Sequence, residues 1–381
     1  MRAVIGVVIG VIFFLSFGAA WFSHAFAAAA TAEMVKTEAE SAKANQAPAA
    51  TTLAEVVVTG NQPGPGLWKI IKPGQGGEKN HVMWVLGTIN PLPKRFKWDS
   101  TMVQGRIAQS QEVILAPRVS VGADIGFFGV MMLMPKALGA RKNPGKQQLK
   151  DVMPEPLYAR WLVLKAQYLK RNRSVEKQRP ILAAHRLYEA ALADSGLREQ
   201  NLVSNVVRKT AKRNKRTITE PRVELKLADP KRALEEFAAS NLDDLGCFEQ
   251  TLNRVQSDLK GMRARANAWA IGDIQALQAL SFTDQAQACR DAFLTAAMAK
   301  DRQLDDLPVR AQQAWIDAAV RALDQHERSF GVLRMSEMLI ADGIGAKLKA
   351  MGYQVEMPAQ NTASSQDDDA AFSQPVNQAV Q

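Results

Sequence analysis

Few residues of this chain could carry chemistry, and one turn is notable for the group that it lacks. In WVLGTINPLP (residues 84–93), an apolar strand ends at Gly87, and Asn90 then precedes Pro91. Imidazole is a common metal ligand and glycine permits close backbone approach, so a histidine at this turn would suggest a metal site. After residue 27 the chain has only three histidines, namely His81, His185 and His326. Neither a nucleophile elbow nor an HExxH motif is present, so no common hydrolase motif explains the chain.

The two cysteines, Cys247 in DDLGCFEQ and Cys289 in QAQACRDA, both fall in helical-looking segments of the same half. In an oxidising compartment an isolated pair of this kind predicts one disulfide bond. Two buried free thiols are the alternative. A metal site would need further ligands nearby, and the sequence offers none there.

The N-terminal residues bear on the compartment. After Arg2 comes an apolar run over residues 3–22, followed by AFA at residues 25–27, which has the small-x-small form of a cleavage site. This pattern predicts a signal peptide over residues 1–27 and a periplasmic or secreted protein. The run is also long enough to span a bilayer, so an uncleaved anchor in the cytoplasmic membrane is the alternative.

Composition narrows the classes of partner. The 381 residues are 47% hydrophobic and carry a formal net charge of +10. The densest basic run, VVRKTAKRNKR (residues 206–216), is typical of the solvated face of a helix, with Val206 and Val207 turned inward. The alternative is a site for anionic polymers or lipid. The run lacks interleaved aromatics, so nucleic acid is not expected as a partner. Membrane contact is expected only through residues 3–22, if they are retained.

Sequence composition divides the chain into four segments. Residues 28–62 are rich in Ala, Thr and Gln, which predicts a low-complexity tether after the signal peptide. Residues 359–381 have a similar character and predict a disordered tail. The single compact domain is therefore expected to cover residues 63–358.

Within that domain, the apolar patterns predict strands at both ends and helices between them. GLWKIIK and HVMWVLGT flank a glycine-rich loop as a hairpin, EVILA is a further strand, and SFGVL and YQVEM lie near the C-terminus. Apolar residues at three- and four-residue spacing predict helices through the centre, including residues 242–270 and 309–326. The expected fold class is α+β, with a mixed central β-sheet formed by N- and C-terminal strands under a large, predominantly helical cover.

Four stretches together carry a family resemblance: GLWKI with VLGTINPLP, SQEVILA, WAIGDIQALQAL, and FGVL followed by DGIGAKLKAMGYQVE. In this order they resemble the TraB/GumN family, which includes Tiki-type metalloproteases. The resemblance implies a Gly-x-x-His after the second strand, a Glu at the end of the next strand and a second Gly-x-x-His before the closing helix. Those His and Glu residues are expected to hold a divalent metal for peptide hydrolysis.

The expected metal ligands are replaced in this chain. Asn90 stands in the first motif, which begins at Gly87, and Ala116 stands where the strand should end in Glu. The second motif falls on Arg334 to Glu337, so arginine replaces its glycine and glutamate its histidine. A catalytic metal usually takes about three protein ligands. The family's divalent metal is therefore predicted to be absent.

Two further positions match the family less closely. Glu220, in TITEPRVE, falls where the family often has a Glu at a strand end, and Arg310 matches an Arg on the penultimate helix. A buried ion pair of Arg310 or Arg334 with Glu337 could substitute for the metal. The alternative is that these charges face solvent.

The sequence therefore favours an exported family member without catalytic activity, which acts as an envelope binding or accessory protein. Its partner would be an unidentified peptide, glycan or envelope protein. A second hypothesis is a metal-dependent peptidase or other hydrolase of the TraB/Tiki type with relocated groups, such as Glu220, Glu337 and Asp342. A third is an accessory role in exopolysaccharide production, which rests only on the family's name.

Overall fold

The computed structural model describes residues 64–74, 76, 78–123, 126–199, 201–227, 229–239, 244–280 and 307–358. The predicted signal peptide, tether and C-terminal tail lie outside these described residues, as does Cys289. Ten strands are described, in chain order: β1 (Leu67–Lys72), β2 (His81–Thr88), β3 (Leu92–Pro93), β4 (Glu112–Ile114), β5 (Arg118–Ala123), β6 (Leu197–Arg198), β7 (Thr217–Thr219), β8 (Arg222–Leu227), β9 (Arg328–Arg334) and β10 (Gln354–Glu356).

Helices occupy most of the chain between the first and last strands of the sheet. In chain order, the described α-helices are α1 (Thr101–Gln109), α2 (Phe127–Gly139), α3 (Leu149–Val152), α4 (Glu155–Leu164), α5 (Pro180–Asp194), α6 (Leu202–Arg213), α7 (Pro230–Ala239), α8 (Asp244–Ser257), α9 (Leu259–Ala270), α10 (Ile274–Ala279), α11 (Leu307–Gln325), α12 (Met335–Leu339) and α13 (Ile344–Ala350). A π-helical turn, Lys165–Leu169, extends α4.

The main sheet has six strands in the order β10-β1-β2-β9-β4-β7. The hairpin of β1 and β2 is antiparallel, β10 pairs antiparallel with β1, and β9 pairs in parallel with both β2 and β4. This arrangement confirms the α+β class and the mixed sheet built from N- and C-terminal strands. Strand β7, from the middle of the chain, completes the sheet by pairing in parallel with β4. Its three residues are too short for sequence alternation to identify a strand.

The helical centre forms a core of its own beside the core of the sheet. Trp68, Trp315 and Phe330 are fully buried in the cluster around the sheet. Trp161 and Phe248 are buried in the second cluster, with ring centroids 5.4 Å apart. Both clusters draw on helices whose apolar residues recur at helical spacing, which is why the sequence predicted a helical cover.

The long helix expected over residues 242–270 is described as two helices, α8 and α9, that meet at Asp258. The Asp258 carboxylate accepts a hydrogen bond from Arg265, at 2.6 Å. Within the described ranges, none of the helices combines the length and the hydrophobicity that crossing a bilayer requires.

Four strands of the main sheet, β2, β9, β4 and β7, run parallel to one another. The register places Thr88 beside Arg334, and Ile114 between Gly331 and Thr219. Their carboxyl ends therefore meet at one edge of the sheet, which is the usual position of ligand sites in sheets with parallel strands.

Gly87 provides a stability test of this edge. A Cβ on Gly87 would lie 3.0 Å from the Met335 side chain and 3.0 Å from the Trp68 ring. We expect Gly87→Ala to lower the free energy of unfolding by about 1–3 kcal/mol, because the extra methyl overpacks a buried site. Gly105→Ala is the control, since a Cβ at this glycine of α1 meets nothing within 4 Å.

The control substitution should raise the free energy of unfolding by about 0.5–1 kcal/mol, as expected for glycine in a helix. Urea denaturation of both variants measures the difference. Equal changes in the two variants would contradict the close packing at Gly87.

Candidate functional site

The carboxyl edge of the four parallel strands collects the motif positions. Asn90 follows β2, Ala116 follows β4, Glu220 follows β7, and Glu337 lies three residues beyond β9. These residues are far apart in the chain, and the parallel pairing brings their segments to the same end of the sheet. The motif positions that the resemblance implies therefore come together at this edge.

The backbone of the first motif is held in place by a buried tryptophan. The indole Nε1 of Trp269 donates a hydrogen bond to the carbonyl oxygen of Gly87, at 2.6 Å. Phe96 and Trp98 pack on the Trp269 ring, with centroid distances of 5.9 and 5.3 Å. Because the indole of Trp269 is packed by two aromatic rings and bonded to Gly87, it holds the turn in place. Asn90 stands at the position where the resemblance implies a histidine. Asn90 itself is exposed.

The second motif contains a buried carboxylate with its own cation. Glu337 is 2% exposed, and one carboxylate oxygen accepts a hydrogen bond from Arg334, at 2.9 Å. The other oxygen accepts a hydrogen bond from the amide of Gln312, at 3.0 Å, and Lys347 donates to the amide oxygen of Gln312. We call these four residues the Glu337 network. It confirms the expected ion pair for Arg334.

Burial raises the pKa of Glu337 above its ordinary value of 4.5, while Arg334, Gln312 and Lys347 offset part of that effect. The desolvation cost of the charged carboxylate is therefore the larger influence. Arg334 lies at the end of β9, Gln312 on α11, Glu337 on α12 and Lys347 on α13, so the network joins the strand end to three helices.

The loop after Glu337 is fixed by close backbone packing. A Cβ on Gly343 would lie 2.4 Å from the carbonyl oxygen of Glu337. Gly343 is also the N-cap of α13, and α13 carries Lys347 of the network. A side chain at this glycine would therefore displace the loop that presents Glu337.

Glu220 has a different environment, because three arginines surround one carboxylate. Arg118 contacts it at 2.9 Å, and both Arg208 and Arg222 form ion pairs with it. Burial alone would raise the pKa of Glu220, but hydrogen bonds from Arg222 and Arg208 and the charge of Arg118 together lower it. The cluster of one carboxylate and three guanidinium groups has a net positive charge, so it can bind an anion. Its carboxyl group has a lowered pKa and is therefore a poor proton donor.

The remaining predicted positions contribute less to the edge. Ala116 is half-buried and offers no donor atom. Arg310 lies in the first turn of α11 with a half-buried side chain, two residues before Gln312. Asp342 is exposed beside Gly343.

The three histidines that the structure describes lie elsewhere. His81 begins β2 and its Nδ1 is 2.6 Å from the carbonyl oxygen of Leu323, while His326 precedes β9 and contacts Glu112 at 3.4 Å. Both are at the amino edge of the parallel strands, about 20 Å from the motif edge at the usual rise per residue. His185 is on α5 and contacts Glu189 at 3.4 Å.

The residues at the edge do not fit the divalent metal that the resemblance implies. In the part of the chain that the structure describes, no three or more His, Cys, Asp or Glu side chains form a group that could share a metal ion. Of the three replaced ligand positions, only position 337 carries a charged oxygen donor, and Arg334 and Gln312 both hydrogen-bond to it. A guanidinium group thus provides the positive charge next to this carboxylate.

Sequence reasoning missed Gln312 and Lys347. Gln312 is a buried polar residue within the apolar pattern of α11, beside Trp315 and Ile316. A polar side chain on the apolar face of an amphipathic helix signals a buried partner. That pattern could have identified Gln312, although it could not have named Glu337 as its partner.

The raised pKa of Glu337 gives a test with a defined sign. A folded protein that binds a proton more tightly than the unfolded chain loses stability as the pH rises through the raised pKa. Glu337→Gln removes this titration. Starting near pH 4.5, the free energy of unfolding of the variant should therefore rise relative to wild type as the pH increases to neutrality.

Urea unfolding across this pH range measures the difference. Glu356→Gln controls for the loss of one negative charge, because Glu356 is half exposed and pairs with Lys69 across the sheet. If the free energy of unfolding of Glu337→Gln instead falls relative to wild type as the pH rises, the attraction to Arg334 lowers the pKa of Glu337 more than burial raises it. That result would contradict the direction given for this pKa.

Comparison with known proteins adds one match. The profile of the TraB/PrgY/gumN family matches residues 66–357, which include every strand of the main sheet and both motif turns. No curated protein and no solved structure gave a significant match. Because the family profile covers most of the chain, and its segments form the sheet edge described above, this protein belongs to the TraB/PrgY/gumN family.

Proposed function

We propose that this protein is an exported, catalytically inactive family member that binds a peptide, a glycan or another envelope protein at the carboxyl edge of its sheet. The single observation that carries the proposal is the Glu337 network. Its carboxylate, the one charged oxygen donor left at the replaced motif positions, is bonded to Arg334 and Gln312. A metal would have to displace that guanidinium group to reach it.

Charge at the same edge supports a binding role. Arg118, Arg208 and Arg222 surround Glu220, and their guanidinium groups have donors beyond those that one carboxylate can accept. Arg118 and Arg222 are more than half exposed. A ligand with acidic groups would therefore be favoured at this edge over a neutral one.

A hydrolase with relocated groups is the second candidate, and one observation favours it. Glu337 is a buried carboxyl group with a raised pKa at a motif position, as is common for general bases. Its near-complete burial and its hydrogen bonds leave it poorly placed to reach a substrate. The role in exopolysaccharide production stays a further alternative, supported by no particular residue.

Metal content and peptidase activity test the proposal together. We expect the wild-type protein to retain well below one divalent metal ion per chain after dialysis, because its motif positions provide too few donors. Asn90→His alone should not change this. The triple variant Asn90→His, Ala116→Glu, Glu337→His should bind more metal, and adding Arg334→Gly should increase binding further by removing a positive charge.

Elemental analysis of each variant measures the metal, and a mixed peptide library reports hydrolysis. About one zinc, manganese or cobalt per wild-type chain would overturn the proposal. Wild-type peptidase activity that Glu337→Gln abolishes would instead establish the relocated hydrolase.

We further propose that residues 1–27 are removed on export and that Cys247 pairs with Cys289 in the periplasm or outside the cell. Cys247 is buried on α8. An uncleaved anchor over residues 3–22 is the alternative. In the loop-entropy description, a bridge that closes about forty residues stabilises a protein by about 3–4 kcal/mol.

One intact-mass measurement tests processing and pairing together. Protein isolated from the cell envelope and alkylated without reduction should have the mass of a chain starting near Ala28, with no alkyl groups added. Reduction before alkylation should add two, which serves as the control. Two adducts without reduction would exclude the bridge, and a full-length mass in the membrane fraction would indicate the anchor.

A further inference from the structure

Helix α2 exposes several large apolar side chains. Its sequence is FFGVMMLMPKALG, and Lys136 is its only charged residue. Lys136 forms an ion pair with Glu235 of α7. A surface helix normally places polar residues on the face opposite its buried stripe. The composition of α2 does not allow this.

The two faces of α2 are clearly separated. The buried face has Val130, Leu133 and Ala137, at spacings of three and four residues, and the C-cap residue Ala140 is also buried. On the other face the exposed large side chains are Phe128 (81% exposed), Met131 (53%), Met132 (81%) and Leu138 (49%). We call this second group the α2 surface.

Single exposed apolar residues are common and carry no functional meaning. Several on one face of one helix are less common, and exposed apolar patches mark binding surfaces. Methionine has a flexible side chain that adapts to irregular apolar surroundings, and both methionine and phenylalanine offer a large apolar area.

The charge around α2 restricts what could cover its surface. Residues 125–150 contain five basic residues and no acidic one. Lys142, Lys146 and Lys150 follow α2 and are exposed. The backbone N–H of Asn143 donates a hydrogen bond to the carbonyl oxygen of Lys177, at 3.1 Å. This contact brings the exposed Lys177 to the same region.

We propose that the α2 surface lies in the interface of an anionic phospholipid membrane, with the neighbouring lysines on the lipid headgroups. An apolar face bordered by lysines is the composition of interfacial helices. Thirteen residues are too few to span a bilayer, so the helix would lie parallel to it. A symmetric pair of copies is disfavoured, because it would bring the same lysines together.

This contact goes beyond the proposed function and is separate from residues 3–22. It would orient the domain on the membrane after those residues are removed. The test therefore uses the chain from Ala28 onward, which keeps both hydrophobic clusters and every described residue.

Co-sedimentation measures partition onto phosphatidylcholine vesicles with and without phosphatidylglycerol. The chain should bind the anionic vesicles more strongly, and Met131→Gln with Met132→Gln should weaken that binding by about tenfold. Leu162→Gln with Val163→Gln is the matched control, because it changes another exposed apolar pair, on α4. The control should bind within about twofold of wild type.

A second variant tests the charges. Lys142→Gln, Lys146→Gln and Lys150→Gln together should weaken binding to the anionic vesicles by about tenfold or more and reduce its salt dependence. Since all the replaced side chains are exposed, unchanged thermal unfolding midpoints should confirm that these variants fold.

The proposal is overturned if the wild-type chain does not bind, if both vesicle types bind it equally, or if the α4 control loses as much binding as the α2 variant. It is also overturned if sedimentation shows a dimer that the α2 changes dissociate while vesicle binding is absent. That result would assign the α2 surface to a second copy.

Discussion

A buried negative charge must be balanced, and the candidate site is arranged around one such charge. The Glu337 carboxylate lies in the protein interior, where an uncompensated anion would be strongly destabilising. Arg334 and Gln312 hydrogen-bond to its two oxygens, and Lys347 reaches it through Gln312. The four residues come from the end of β9 and from α12, α11 and α13. The balance of this one charge therefore couples the sheet edge to the helices that cover it.

The Arg334 guanidinium group lies at the edge where the resemblance implies a metal cation. The resemblance implies a divalent metal held by histidine and glutamate at the strand ends. In this chain a guanidinium group is the cation next to the remaining carboxylate, and the turn at Gly87 is kept by packing against Trp269. At two positions of the second motif, Arg334 and Glu337 thus form an ion pair.

The sequence predicted those features that depend on a local pattern or on the spacing of residues along the chain. A glycine-rich loop between two apolar segments predicted the β1–β2 hairpin, and the family resemblance placed the second motif on Arg334 to Glu337. The sequence also restricted Glu337 to two candidate arginines, and the fold brings Arg334 to it.

Contacts between distant residues were not predictable in this way. Arg118 and Arg208 meet at Glu220 because β5 pairs with β8 and α6 packs beside β7, and neither arrangement has a local sequence pattern. The exposure of Met132 on α2 could not be predicted from the sequence either, because an apolar helix is usually buried. Which apolar face remains uncovered depends on the packing of the whole domain.

A double-mutant cycle on Arg334 and Glu337 tests the central claim most directly. Unfolding free energies of Arg334→Ala, Glu337→Ala and the double variant at neutral pH give the coupling energy of the pair. If the guanidinium group balances the buried carboxylate, the coupling should be favourable by about 1–3 kcal/mol. Additive effects, with a coupling near zero, would contradict the claim that this ion pair holds the site together.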